Sequence, residues 1–508
     1  MTSANRVIIN TAISYGRMVL TVGVSLYSTR LILEALGNTD FGIFQLVGGL
    51  VAMLAFLKNT MATATQRFLS FYQGKNEAEN QKSVFTNSLI MHIVIGLAIV
   101  LILASLEPIL FERFLNIPES RTYAAKIVYR TVLASLFFSM VNVPFIGSLI
   151  AHENLLFVAL INILEALLKL AIALILIDLD TNKLIVYGCL MAALDLITLL
   201  FYMGFCLKTY EECSLKAIKI DRGRIKELTS FAGWNLFGSL CSLGRNQGLA
   251  IVLNLFFGAV INAAYGIANQ LSSQMNLFSV TMLRALNPQI MKSEGSNNRE
   301  RMLRLSMIAS KFGFFLAAIV AIPAIFEMTA ILKFWLKEVP DYTVIFAQLI
   351  LISILVNQLT IGLQSALQAT GKIKLYQIVV GGLILMTLPV AYLFLEMGYP
   401  PYSVFVSYLL FEIIAVVLRL LIAKKITHLS IPEYMTRVFS KSLLPFTLLV
   451  GTCYYISNYW NMDYRFIITG IISSVVFIST IYLFGLCNDE KLLVIKFFNI
   501  AKGKLKNK

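Results

Sequence analysis

Arg17, Lys58, Arg245 and Arg284 interrupt stretches otherwise apolar enough to lie in lipid. In the run IINTAISYGRMVLTVGVSLYSTRLIL, residues 8–33, Arg17 sits midway and Arg30 near the far end. A charge at the centre of a membrane helix costs about 2.5–3.5 kcal/mol on insertion scales, so a retained one points to a buried partner or to a functional role. The chemistry open to these four bases is anion binding. Arginine offers a planar fork for bidentate contact with a phosphate, and lysine a compact point charge. Lys311 and Arg130 are weaker candidates for the same role.

Acids able to neutralise them are few. Glu165 and Lys169 stand four apart with the acid on the N-terminal side, a spacing that pairs them on one helix face. Asp195 and Glu412 are the other mid-span acids, and two readings stay open for them: structural partners for Arg17 or Arg245, or proton-coupling sites. No mid-span acid lies on the helices that carry the four bases. Arg30, Arg67 and Arg419, nearer span ends, are expected to snorkel to the interface.

The elements that must hold these side chains are membrane helices. The chain has 508 residues, 58% hydrophobic and 14% charged, with a mean hydropathy of +0.79. Apolar runs long enough to cross a hydrocarbon core about 30 Å thick recur from end to end. Fourteen spans are expected, near 7–33, 41–68, 84–106, 122–148, 154–178, 184–207, 229–256, 263–290, 304–330, 343–369, 375–396, 402–423, 441–459 and 465–486. Runs of this length are helices, because barrel strands are about half as long and alternate in polarity. Pro144, Pro323 and Pro389 fall inside spans and are expected to kink them.

The net charge of +15 is a matter of orientation rather than of nucleic-acid binding. With the N-terminus inside, twenty-five basic residues in loops and tail face the cytoplasm and six face the other side, which predicts a cytoplasmic-membrane protein with both termini cytoplasmic. The first apolar run is read as a retained first helix rather than a signal peptide. Six scattered cysteines and three isolated histidines suggest neither a disulfide framework nor a metal site. No GxxxxGK[ST] loop is present: GKNE at 74–77 and GKIK at 371–374 lack the preceding glycine, so no ATP-binding role is expected. No external loop exceeds about 20 residues, which argues against a polymerase or a glycosyltransferase. The chain is not expected to be an enzyme or to need a cofactor. An H+ or Na+ gradient is the conceivable energy source.

The longest internal polar interval, KTYEECSLKAIKIDRGRIKELTS, separates six spans from the next six. The expected organisation is an N-lobe at 1–207, a basic linker at 208–228, a C-lobe at 229–425, and two further spans with a basic tail at 426–508. The halves echo each other: LEALGNTDFGIFQL joins spans one and two, and LNLFFGAVINAAYGIANQL joins spans seven and eight. Repeats of this kind in transporters mark two bundles that rock around a site.

Several of these segments carry a family resemblance. LGNTDFGIFQLVGGL, RFLSFYQGKNEAENQKSVFTNSLI, FFGAVINAAYGIAN, NPQIMKSEGSNNRERM and QATGKIKLYQIVVGG, on a chain of fourteen expected spans, are together similar to the polysaccharide-export and O-antigen flippases of the multidrug/oligosaccharidyl-lipid/polysaccharide (MOP) exporter superfamily. The resemblance covers nearly the whole chain. It implies an all-α fold of two six-helix lobes in a V, plus two C-terminal helices, with spans one, two, seven and eight lining a central cavity. It further implies alternating-access transport of an undecaprenyl-pyrophosphate-linked oligosaccharide (O-antigen, capsule or exopolysaccharide repeat unit), in concert with polymerase or ligase machinery. On that reading Arg17, Lys58, Arg245 and Arg284 are the substrate-binding cations. The alternatives are a peptidoglycan lipid-precursor flippase, a multidrug–cation antiporter of the same superfamily, and a non-transporting membrane assembly subunit.

Overall fold

The computed structural model describes residues 3–52, 55–115, 117–214, 220–336, 338–460 and 462–491. The expected basic tail beyond Lys491, together with Lys216, Lys219 and Lys337, lies outside them. Among the described residues every regular element is helical. The first half holds α1 (Ser3–Ala52), α2 (Ala55–Lys75), α3 (Ala78–Ile109), α4 (Glu119–Val141), α5 (Val143–Ala151), α6 (Leu155–Ile177) and α7 (Lys183–Thr209). Then come α8 (Arg222–Gly295), α9 (Arg299–Phe326), α10 (Met328–Trp335), α11 (Thr343–Gln358) and α12 (Ile361–Thr370). The last are α13 (Lys374–Glu396), α14 (Ser403–Thr427), α15 (Lys441–Tyr459) and α16 (Arg465–Thr480).

The two longest helices are each two helices joined at a glycine. Gly37 breaks α1 with φ +73°, and Gly258 breaks α8 with φ +75°. That left-handed backbone region favours glycine, because a Cβ is strained there. The two breaks sit inside the two segments whose sequences echo each other. The echo continues one helix later. At the end of α2, Asn76 takes φ +58°, its N–H bonds to the Gln73 carbonyl, and the Glu77 N–H reaches back to Tyr72. At the end of α8, Asn297 takes the same φ, with Asn297 bonded to Glu294 and Asn298 to Ser293. Both are Schellman ends, which satisfy the last carbonyls of a helix. A repeat faint in sequence is thus explicit in backbone geometry.

Among the described residues, nine helical stretches are long and apolar enough to cross a membrane, or ten if α11 and α12, bent by 45°, form one broken span. The measure falls short of the fourteen expected, and the shortfall has a chemical cause. The helices that miss it are α2, the arms of α8, and α15. Lys58, Asn59, Gln66 and Arg67 lie on α2, and Asn235, Arg245, Asn246 and Gln247 lie on the first arm of α8. The chain is an all-α, multi-pass membrane protein. Pro144 and Pro389 stand just after helix breaks at Asn142 and Met386, and Pro323 lies three residues before the end of α9.

The chain forms two compact units, Ile9–Leu236 and a second that joins the described residues before Ile9 to those from Phe237 on. In the first, the core gathers around Tyr129, Val128, Leu133 and Met140. The polar linker packs on this unit. The Arg224 guanidinium donates to Tyr72 Oη at 2.5 Å, Asn80 Oδ1 at 2.9 Å and Glu227 at 2.7 Å. His152 meets Glu212 at 2.7 Å and stacks on Tyr210. In the second unit, α9 is the buried centre, packed by Phe346, Phe405 and Phe477 against Phe314 and Phe315. Gly362 lies so close to α9 that a Cβ there would stand 2.0 Å from the Ser306 carbonyl oxygen. Asn154, Asn182 and Asn298 cap α6, α7 and α9 by accepting from backbone N–H groups three residues on, the usual way to satisfy the open first turn of a helix.

Ion pairs tie residues 489–490 to α9, one of them buried. Lys311 donates to Glu490 Oε2 at 2.5 Å, and the same oxygen accepts from the Cys487 N–H at 2.8 Å. Asp489 meets Arg304 at 2.5 Å and Arg437 at 3.6 Å. Partial burial works against the charge of Asp489, but these arginines hold its carboxyl below the ordinary aspartate range. At the other end of α9, Glu327 accepts from Arg465 at 2.9 and 3.1 Å and from Thr469 at 2.9 Å.

Candidate functional site

The second unit contains a cavity of about 380 Å³. Arg245 and Glu412 line it together with Asn246, Asn269, Asn357 and Tyr408. The first arm of α8 supplies Arg245, α11 supplies Asn357, and α14 supplies Tyr408 and Glu412. Tyr408, Glu412 and Arg419 stand at i, i+4 and i+11, so they fall along one face of α14.

Arg245 is no free cation. Its Nη1 donates to Glu412 Oε1 at 2.9 Å and its Nη2 to Tyr408 Oη at 2.8 Å. Asn357 Nδ2 donates to Glu412 Oε2 at 3.0 Å, and Arg419 Nη2 lies 3.6 Å from the same oxygen. Arg419 Nη1 also donates to Thr360 Oγ1 at 3.2 Å, at the bend between α11 and α12. Arg245 is 6% exposed, Glu412 3% and Arg419 3%. The cluster therefore carries two bases and one acid, with one net positive charge held out of water.

This corrects two expectations. The lack of an acid on Arg245's own helix does not leave it uncompensated, because Glu412 reaches it from α14. Arg419 does not snorkel: a carboxylate and a hydroxyl inside the protein satisfy it better than a longer reach to the interface. Arg67 behaves likewise, buried at 4% exposure with its guanidinium carbon 4.3 Å from the Phe68 ring centre and 4.6 Å from that of Phe71.

The first unit holds a second charged group of a different kind. Lys169 donates to Glu165 at 2.7 Å, with side chains 38% and 26% exposed. Lys58 is within electrostatic reach of Asp195 and of Glu165. Asp195 in turn bonds Ser135. Two bases and two acids from α2, α6 and α7 thus form a quartet with no net charge. Asp195 faces Lys58, not Arg17 or Arg245.

Arg17 stands outside this quartet, half-buried on α1, with Tyr202 as its polar neighbour. Among the described residues no carboxylate lies within ion-pair distance of it. Arg284, on the second arm of α8, is half-buried and engaged by a neighbour. It does not line the cavity of Arg245. Among the described residues, no three His, Cys, Asp or Glu side chains stand together as a metal site.

No protein-family model matches this chain, and no curated protein matches it. Solved structures do. A MATE transporter crystallised with MaD3S superposes with a TM-score of 0.72 at 15% identity, covering 84% of this chain and 97% of its own. An outward-facing multidrug-resistance MATE family transporter of the MOP superfamily gives a TM-score of 0.72 at 14% identity, over 84% and 96%. A MOP superfamily transporter from Pyrococcus furiosus, described for the reverse polarity of its binding pocket, gives 0.69 at 14%, over 84% and 96%. At such identities the likeness is one of fold: this chain has the fold of the MATE transporters.

Proposed function

We propose that the chain is a MOP-type transporter that moves an undecaprenyl-pyrophosphate-linked oligosaccharide across the cytoplasmic membrane by alternating access, both termini lying in the cytoplasm. Mid-membrane bases hold the anionic headgroup. The observation that carries this reading is Arg17, a half-buried guanidinium within a candidate membrane span, with no carboxylate to neutralise it among the described residues. A base kept there at a cost of about 2.5–3.5 kcal/mol fits an anion supplied from outside the protein. The rest of the membrane charge leans the same way. The Arg245–Glu412–Arg419 cluster is a net cation, and Arg284 adds a base on an arm of α8 too polar to count as an apolar span, whereas Lys58 belongs to a neutral quartet. The Pyrococcus structure's description supports the idea that this fold accommodates pockets of opposite polarity.

A multidrug–cation antiporter is the second reading, favoured by the descriptions of the structural neighbours and by the carboxylates of Asp195 and Glu165. Against it, each of these acids faces a lysine, and Glu412 faces two arginines. A peptidoglycan-precursor flippase shares the charge logic and differs only in glycan. A non-transporting assembly subunit has no use for Arg17. Coupling to an ion gradient and hand-over to a polymerase or ligase belong to the same proposal.

The test is translocation of lipid-linked oligosaccharide in vesicles holding wild type, Arg17→Ala or Arg17→Lys. Losing a charge-assisted contact to phosphate predicts a fall of about tenfold or more for the alanine variant, with partial recovery for lysine. Normal transport by an Arg17→Ala protein that inserts normally removes the proposal.

A further inference from the structure

We propose that the cavity beside Arg245 is a sugar subsite, which receives an uncharged pyranose unit of the glycan while the phosphates are held elsewhere. The inference rests on the flippase reading and deepens it. Its volume of about 380 Å³ lies in the range of clefts that enclose small ligands, about 300–1,000 Å³. The wall is built from neutral hydrogen-bonding groups: five side-chain amides, Asn246, Gln247, Asn269, Asn276 and Asn357, together with four serines. Amides and hydroxyls donate and accept at once, which suits a ring bearing several hydroxyl or acetamido groups. Tyr265 and Phe405 supply flat apolar surface for the C–H face of such a ring.

Charge decides between sugar and phosphate here. The charged side chains on the wall are Arg245 and Glu412, already joined at 2.9 Å. A phosphate or carboxylate entering this space meets the Glu412 carboxylate and must compete with it for Arg245, in surroundings where like charges repel strongly. A neutral polyol incurs no such penalty.

Binding to the full-length protein in nanodiscs tests this with four probes: undecaprenyl pyrophosphate without sugar, and the same lipid bearing N-acetylglucosamine, galactose or glucuronic acid. At least one neutral glycolipid should bind about tenfold tighter than the bare lipid, equivalent to 1.4 kcal/mol. The Asn269→Leu/Asn276→Leu protein should close that gap to within about twofold. Equal wild-type affinity for bare and neutral-sugar lipids overturns the subsite and leaves the flippase reading standing, as does a preference for glucuronic acid. A gap that persists in the double variant also overturns it. If wild type binds none of the four, the flippase reading fails and the subsite with it.

Discussion

In the second unit, Arg245, Glu412 and Arg419 are each less than a tenth exposed and are tied to Tyr408, Asn357 and Thr360. In the first unit, Lys58, Glu165, Lys169 and Asp195 balance their charges but keep partial access to their surroundings. The first arrangement is a fixed part of the fold: every member restrains its neighbours, and one unit of charge is permanently retained. The second is looser and formally neutral, so a proton added to an acid or taken from a lysine shifts its balance by one charge in a place that keeps partial access to its surroundings. If transport is coupled to a proton gradient, the partly accessible quartet is the better placed of the two regions to exchange a proton.

Thermal unfolding of the purified protein in nanodiscs can break that contrast. Glu412→Ala leaves two guanidinium groups buried without their acid, and stability should fall by about 3–5 kcal/mol. An unchanged melting temperature would mean the cluster is hydrated and its burial has no energetic meaning. Asp195→Ala should cost less, about 1.5 kcal/mol, the lower end for a hydrogen bond to a charged group, because Lys58 keeps Glu165 nearby. A loss as large as that of Glu412→Ala would erase the distinction between the units. Lys169→Ala should be the mildest at about 0.3–0.5 kcal/mol, as for an exposed helical pair. A larger effect would show that this lysine, not Asp195, anchors the quartet.

Much of this was legible in the residues. Length and hydropathy predict helices throughout, and the i, i+4 spacing of Glu165 and Lys169 anticipates their 2.7 Å contact. The two echoing segments point to where Gly37 and Gly258 break their helices. What stays hidden depends on contacts between distant helices. Glu412 and Arg245 are 167 residues apart, and no local pattern announces their meeting. One signal was available: Tyr408, Glu412 and Arg419 share a face of α14, a polar stripe that lipid would not tolerate and that marks the helix as facing protein. Read that way, Arg419 would not have been expected to snorkel. The fourteen expected spans are matched only in part, since the described residues hold nine or ten stretches apolar enough to cross, and α2, the arms of α8 and α15 carry too many polar side chains to count.

The acid that neutralises Lys311 comes from beyond the last span, at Glu490, and Lys311 itself lies twelve residues into α9, roughly 18 Å from its start at 1.5 Å per residue. The segment just after Leu486 is therefore part of the fold of the second unit rather than a spacer. A fusion joined right after Leu486 would strip the counter-ion from buried Lys311 on α9, so a loss of transport in such a protein would report a damaged scaffold rather than a blocked substrate path.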